Sequence, residues 1–378
     1  MKSASDSIRP AVLHIIDQPG LGGAQTLLRD LQHAADEGSF DHFVFALRYT
    51  TEQILTEGGR VELFPSKRRY SFAPLFRLRR LVEQQRISVL HVHLFRSWVF
   101  GALLKQLWYP HLPLITHQHG GLGNWSVLER QLFPFIRKHT DRFIAVSEIA
   151  RQGLEQLGIA GDKIRVVPNP SPSFSADYID KVDAGALQLR ETLGLADVPI
   201  LLFAGRLERQ KGCDILLQAL HALRCDYQLL VIGHGSCERD YRSLSESLGI
   251  GQRIHFLGYQ QEVDPFFRLA TVTVVPSRME PFGRIPFESA AMGTPVIAAN
   301  VGGMKDFLRD EENSLLFEPE DVQGLARQIE RLLNDSELRV RLAAALTETA
   351  KGFPLSDTIA SYEQCYRDLI DGRSADTV

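Results

Sequence analysis

Cysteine is scarce in this 378-residue chain, with four in all: Cys213, Cys225, Cys237 and Cys365. None forms a C-x-x-C pair, which removes the patterns of a disulfide framework and of a zinc knuckle. Reduced thiols of a cytoplasmic protein fit better. No apolar run is long enough to cross a bilayer, so any membrane contact is peripheral. The opening MKSASDSIRP is polar and leads into a strand-like run, so it reads as no secretory signal. An excess of positive charge is also missing. The 42 Lys+Arg against 46 Asp+Glu give −4, which argues against a general nucleic-acid partner. There is no D-x-D to hold a divalent ion, and no G-x-G-x-x-G. Gly20-Leu21-Gly22-Gly23 is followed by Ala24 and Gln25, and Gly233-His234-Gly235-Ser236-Cys237-Glu238 lacks the third glycine. A dinucleotide oxidoreductase is therefore poorly supported.

What is present is an ordinary folded composition, 44% hydrophobic and 23% charged, at a length that suits two domains. Strand-length apolar runs fall at Ala11–Ile16, His42–Leu47, Val89–His93, Leu114–His117, Arg142–Val146 and Ile164–Val167. Helical periodicity lies between them, as in Thr26–Ala35 and Pro74–Gln85. This alternation predicts a doubly wound parallel sheet, which binds ligands at the carboxyl ends of its strands. The turn formers Pro168-Asn169-Pro170-Ser171-Pro172-Ser173 interrupt it, and the stretch to about Asp197 has weak strand signal. A second series then runs through Ile200–Phe203, Gln228–Ile232, Ile254–Leu257, Val272–Val275, Val296–Ala299 and Ser314–Phe317. Two α/β domains joined near residue 170 follow, the first spanning 1–170 and the second 171–352. A helix at about Ser356–Leu369, within a terminal segment of about 353–372, has no strand after it and is expected to pack back on the first domain.

The most informative run is 276–295, PSRMEPFGRIPFESAAMGTP. Glu280 sits on a loop after a strand, Phe282-Gly283-Arg284 enters a short helix, and Glu288 follows eight positions after Glu280. A glycine turn at a helix N-terminus lets a phosphate approach unpaired N–H groups. A carboxylate on each side can hold sugar hydroxyls, so the segment looks built for a nucleotide sugar. Gly205-Arg206-Leu207-Glu208-Arg209-Gln210-Lys211-Gly212 follows another strand. It offers a guanidinium fork and an ammonium for a diphosphate, or else is an exposed basic loop. Gly22-Gly23 either presents N–H groups at a helix entrance or is a plain tight turn.

His91-Val92-His93 and His117-Gln118-His119 end neighbouring strands, and each pair projects two imidazoles to one side. A metal site is one reading. The other places one histidine of each pair at the ligand and keeps its companion structural, with His119, before Gly120-Gly121, as the ligand-facing one. Asn169 reads as a turn residue. Lys67-Arg68-Arg69-Tyr70 with Phe72, Leu75, Phe76, Arg77, Arg79 and Arg80 forms a basic amphipathic stretch, either a surface for anionic lipid or a helix with one packed face.

Taken together these residues resemble glycosyltransferase family 4, the retaining nucleotide-sugar transferases of GT-B fold. The likeness covers nearly the whole chain. Its strongest element is E-x7-E, Glu280 to Glu288, followed by Gly293–Ala298. In order come Gly22-Gly23, Thr116-His117-Gln118-His119-Gly120, Val146-Ser147-Glu148, Val166-Val167-Pro168-Asn169, Gly205-Arg206 with Lys211-Gly212, and Phe256-Leu257-Gly258-Tyr259. The resemblance implies two Rossmann-like domains facing a cleft, with the nucleotide sugar on the second. It puts Glu280 and His119 on the donor sugar, Glu288 on the ribose, and Arg206 and Lys211 on the diphosphate. Gly22, Gly23, Gly205, Phe282, Gly283 and Arg284 line the ligand, and Gly258-Tyr259 lies beside the base. Three departures affect loops: Gln25 where glutamate is common, Pro168-Asn169-Pro170 for proline-asparagine-glycine, and His234 where aspartate is frequent.

The expected reaction moves a sugar from a nucleotide-diphosphate donor to an acceptor hydroxyl with retained configuration. It uses no cofactor and no metal, because Arg206, Lys211 and backbone N–H groups meet the leaving charge. By analogy the acceptor is a glycan or a lipid-linked one, of lipopolysaccharide, exopolysaccharide or other envelope material, met at the inner face of the membrane. Residues His93–Trp98 and Gly120–Trp125 are the acceptor-side candidates. The rivals are a metal-dependent hydrolase on the two H-x-H pairs, and a nucleotide-sugar epimerase or binding protein of the same fold.

Overall fold

The computed structural model describes residues 9–20, 22–34, 38–50, 54–55, 58, 60–65, 71–120 and 125–375. The chain divides into two compact units, Met1–Pro170 with Leu355–Val378, and Ser171–Pro354.

Among the described residues, the first unit holds a sheet of seven parallel strands: β1 (Ala11–Ile16), β2 (Asp41–Ala46), β3 (Val61–Leu63), β4 (Ile87–His93), β5 (Leu114–Gln118), β6 (Arg142–Ala145) and β7 (Ile164–Val166). Their order is β3-β2-β1-β4-β5-β6-β7. The chain winds outward from β1 in one direction and then from β4 in the other, which puts the switch point between β1 and β4. Helices cover the sheet, so both faces are buried and β1 reads as an apolar run. The expected strands all appear, with ends shifted by one or two residues. The three-residue edge strand β3 was not anticipated. It carries too few residues for a period-2 pattern.

The second unit repeats the plan with β8 (Ile200–Ala204), β9 (Gln228–Ile232), β10 (Ile254–Gly258), β11 (Val272–Val275), β12 (Val296–Ala299) and β13 (Leu315–Phe317), ordered β10-β9-β8-β11-β12-β13. Its switch point lies between β8 and β11. The weak-signal stretch after Pro170 is in fact a 17-residue helix, Ala176–Thr192, whose N-cap Ser175 accepts from the Tyr178 N–H. Its Val182 joins Ile200, Leu202, Phe266 and Phe267 in the core.

The last helix, Leu355–Ala375, belongs to the first unit as expected. Tyr362 and Tyr366 are buried with Val12, Ile16, Val44, Val89 and Ile115. Glu363 clamps the far side, accepting from the Ser39 N–H and Oγ at 2.6 Å each.

Candidate active site

Both switch-point strands of the second unit, β8 and β11, end in the loops singled out from sequence. The Lys211 Nζ donates to Glu280 Oε2 at 2.6 Å, and Ser277 Oγ donates to the same oxygen at 3.2 Å. Only 19% of the lysine and 11% of the glutamate side chain is exposed, so the pair is largely shielded from water, where its attraction is stronger than at the surface. The two loops are also joined by one backbone bond and one side-chain bond. Arg278 N–H donates to Gln210 O at 2.8 Å, and Gln210 Nε2 to Met279 O at 3.0 Å. The Arg278 guanidinium forks onto Asp214 at 2.8 Å twice, bonds Glu320, and reaches Arg209 O at 2.7 Å. The hydrogen bonds to Asp214 hold it well above the usual arginine range.

Glycine is required at two of these turns. Gly212 has φ 70° and faces the Pro276 carbonyl, and Gly302 has φ 59° and faces the Glu280 carbonyl; a Cβ at either would collide with that oxygen. The Glu280 carbonyl meanwhile accepts from Gly303 N–H at 2.9 Å. Gly205, Gly233 and Gly258 all have positive φ at the carboxyl ends of β8, β9 and β10, and Gly233 N–H donates to Gly258 O at 2.7 Å. Arg206 is exposed beside Gly205, and His234 stacks edge-on to Tyr259 with centroids 6.3 Å apart. Gly283, φ 94°, precedes the helix Ile285–Ala291, where Arg284 Nε lies 3.6 Å from Glu288 Oε1. Phe282 differs from its expected place: its ring is buried against Phe287 at 5.6 Å and Phe307 at 5.3 Å. Only its backbone is left for a ligand, because an aromatic side chain in this short loop gains more from the apolar cluster.

In the first unit, register places a row of imidazoles on one face of the sheet. His14 pairs with His91 across β1 and β4, His93 with His117 across β4 and β5, and His42 stands opposite Val12. His14, His42, His91, His93 and His117 are all buried, and His119 is half-buried. Of the two pairs, only His117-Gln118-His119 has a partly exposed member, His119. Both His91 and His93 are sealed, His91 beneath Tyr362 and Tyr366 and His93 among the rings of His14, His91, His117 and His119. Tyr366 OH lies 2.7 Å from His91 Nδ1, and His91 Nε2 is 3.2 Å from His117 Nδ1. A second line runs His42–His14–His93–His119 at 2.9, 3.0 and 2.8 Å. Burial drives His14, His91, His93 and His117 well below the usual imidazole range and takes His42 to about 4, so all five are neutral at pH 7. Two triads, His14-His91-His93 and His93-His117-His119, bring nitrogens within 4.8 Å of one another. Most of those nitrogens already face each other in hydrogen bonds, which a metal ion would have to displace.

Sequence reasoning missed His14 and His42, each a lone histidine in an apolar strand. It also missed Asp17, at the end of β1, which takes Arg48 at 2.7 Å and Arg96 at 2.8 Å. Within its own strand His14 gave no signal, because every residue of β1 is buried. Gly22 and Gly23 lie exposed at the start of the helix Gly23–His33, and Gln25 is buried with its Nε2 on Gln18 O at 3.1 Å. Asn169 is buried, and its Oδ1 meets no hydrogen-bond partner among the described residues. Trp125, Phe95 and Trp98 form an aromatic group with centroids 5.4 to 6.2 Å apart. Residues 121–124 and Lys67–Tyr70 lie outside the described residues. The helix Ala73–Gln84 buries Leu75, Leu78 and Leu81 while Phe72 and Phe76 stay more than 60% exposed. No described helix is long and apolar enough to cross a membrane.

Two Rossmann-like units with glycine turns at the strand ends match the GT-B fold of known glycosyltransferases. Cyanobacterial Alr3699/HepE from Anabaena, solved with UDP-glucose, superposes with TM-score 0.78 over 96% of this chain and 99% of its own at 20% identity. Sucrose-phosphate synthase from Thermosynechococcus elongatus gives 0.79 over 96% and 100% at 23%. Residues 188–349 match the model for glycosyl transferases group 1, and residues 21–171 match Glycosyltransferase Family 4. The D-inositol 3-phosphate glycosyltransferase of Acidothermus cellulolyticus is 32% identical over 316 residues, 77% of this chain and 69% of that protein. The lipopolysaccharide core biosynthesis glycosyltransferase LpsE of Rhizobium meliloti is 37% identical over 157 residues, 42% of this chain and 46% of its own. The chain belongs to glycosyltransferase family 4.

Proposed function

We propose that this glycosyltransferase takes its sugar from a nucleotide-diphosphate donor and transfers it to an acceptor hydroxyl with retention, without a metal ion. The observation that carries the reading is the shielded Lys211–Glu280 pair, 2.6 Å apart, where the loops after β8 and β11 meet. It sets an ammonium for a departing diphosphate beside a carboxylate for the sugar, at the switch point where sheets of this kind bind ligands. Arg206 and the N–H groups near Gly283 and Arg284 add to the charge stabilisation. Glu288 takes the ribose, His119 the sugar, and Gly258-Tyr259 the base. The bond from the anomeric carbon to the phosphate oxygen breaks as the acceptor oxygen bonds the same face, and the acceptor's proton passes to that phosphate oxygen.

A uridine donor is supported by the UDP and UDP-glucose in the HepE structures. The two relatives' names support an acceptor that is a phosphorylated cyclitol or an envelope glycan. Exposed Phe72 and Phe76 beside Arg79 and Arg80 support contact with anionic lipid at the cytoplasmic face. Family membership leaves the metal-hydrolase alternative without support. A thermal-shift screen of UDP-, GDP- and ADP-sugars tests the donor class, because a bound donor stabilises by mass action. Anomeric analysis of the product, with and without chelator, then tests retention and metal independence. No shift with any donor, or loss of turnover in chelator, overturns the reading.

A further inference from the structure

We infer that His42, His14 and His93 are positioning residues that set the tautomer of His119 through a single head-to-tail chain of imidazoles. The proposal rests on the reading of His119 as a group that meets the sugar. Every link uses the same pair of atoms. His42 Nδ1 faces His14 Nε2 at 2.9 Å, His14 Nδ1 faces His93 Nε2 at 3.0 Å, and His93 Nδ1 faces His119 Nε2 at 2.8 Å.

A neutral imidazole has one N–H and one lone pair. Burial keeps His42, His14 and His93 neutral. The chain therefore has two good orders. In one, each Nδ1 carries the hydrogen and donates to the next Nε2, which makes His119 Nε2 an acceptor. In the other, each Nε2 carries it, and His119 Nε2 donates to His93 Nδ1. Any mixed order sets two lone pairs, or two N–H groups, against each other out of reach of water. The four rings thus change order together.

The geometry that produces this is register. His42, His14, His93 and His119 come from β2, β1, β4 and the end of β5, neighbours in the sheet, with their side chains on one face. At the outer end His42 feels the charges of Glu363 in the last helix and of Arg60 and Asp41. That helix is thereby tied electrically to His119 through three rings it does not share with any ligand.

The test is long-range nitrogen–proton NMR on the full chain labelled with 15N-histidine, which reads each ring's tautomer. In the wild type, His14, His93 and His119 should show one common tautomer. His42→Leu, which removes the outer partner, should shift all three spectra together, and His42→Asn, with an amide near the Nδ1 position, should restore them. His42→Leu should also lower kcat by about tenfold with the donor KM little changed. Discordant tautomers in the wild type, or a His119 spectrum that ignores His42→Leu while the variant remains folded, overturns the relay. If the three spectra move together and kcat does not, the relay stands and the assignment of His119 to the sugar falls. Should His42→Leu not fold, the wild-type tautomers alone decide.

Discussion

The two units share a parallel sheet wrapped in helices, yet they differ in what the sheet contains. The first holds nine of the chain's twelve histidines, and five of them are fully inside. The second fills β8, β9, β11 and β12 mostly with apolar residues and carries Arg206, Lys211 and Glu280 in the loops at the strand ends. In the second unit, then, the charged groups of the strand-end loops stand apart from the strand side chains. In the first, imidazoles are hydrogen-bonded to each other from strand centre to strand end.

The comparison is broken most directly at Glu280. Replacing it with alanine should lower kcat by about 10³-fold through lost transition-state contacts. Nucleoside-diphosphate affinity measured by calorimetry should be mostly retained. Equal turnover would move the chemistry out of the second unit's loops.

Acid should separate the units. A histidine whose folded pKa is depressed takes up its proton first in the unfolded chain, so stability falls as pH drops from 6.5 toward the folded value. For His42, at about 4, the loss by the end of that window is about 3 kcal/mol. His14, His91, His93 and His117 act in the same direction, and in the second unit the half-buried His255 does so more weakly. Hydrogen exchange followed by mass spectrometry at pH 7 and pH 5 should show protection lost first in β1, β2, β4 and β5. Simultaneous loss in β8 and β11 would show that the histidine row is not the weak point.

Arg206→Ala should weaken binding of a nucleoside diphosphate by about 1.5–3 kcal/mol, since a charged hydrogen bond is lost, with little effect on the melting temperature. The smallest effect is expected at Tyr366→Phe. It keeps the ring in the core and removes the hydroxyl 2.7 Å from His91, costing about 1 kcal/mol in denaturant unfolding.

Much of this architecture was legible because both sheets are buried on two faces. Apolar runs such as Gln228–Ile232 and Val272–Val275 marked strands to the residue. The helix Ala176–Thr192 escaped because its apolar positions, Ile179, Val182, Ala186 and Leu189, are diluted by charges and follow a proline-rich turn. The pairing of Lys211 with Glu280, 69 residues apart, could not be read from either loop alone, since it depends on β8 and β11 being neighbours. The same holds for His14 and His42. Each is an unremarkable residue in its own strand, and only lateral order turns them into a row.

Glu280 is fastened at both ends of its own residue. Its side chain is held by Lys211 and Ser277, and its carbonyl by the Gly303 N–H, against a glycine at 302 that tolerates no larger neighbour. If Glu280 meets the sugar as proposed, anyone re-engineering this enzyme for a different sugar inherits a fixed post. Deletions or insertions between Glu280 and Gly302 would pull it out of line, and new selectivity has to be carved from the residues around it.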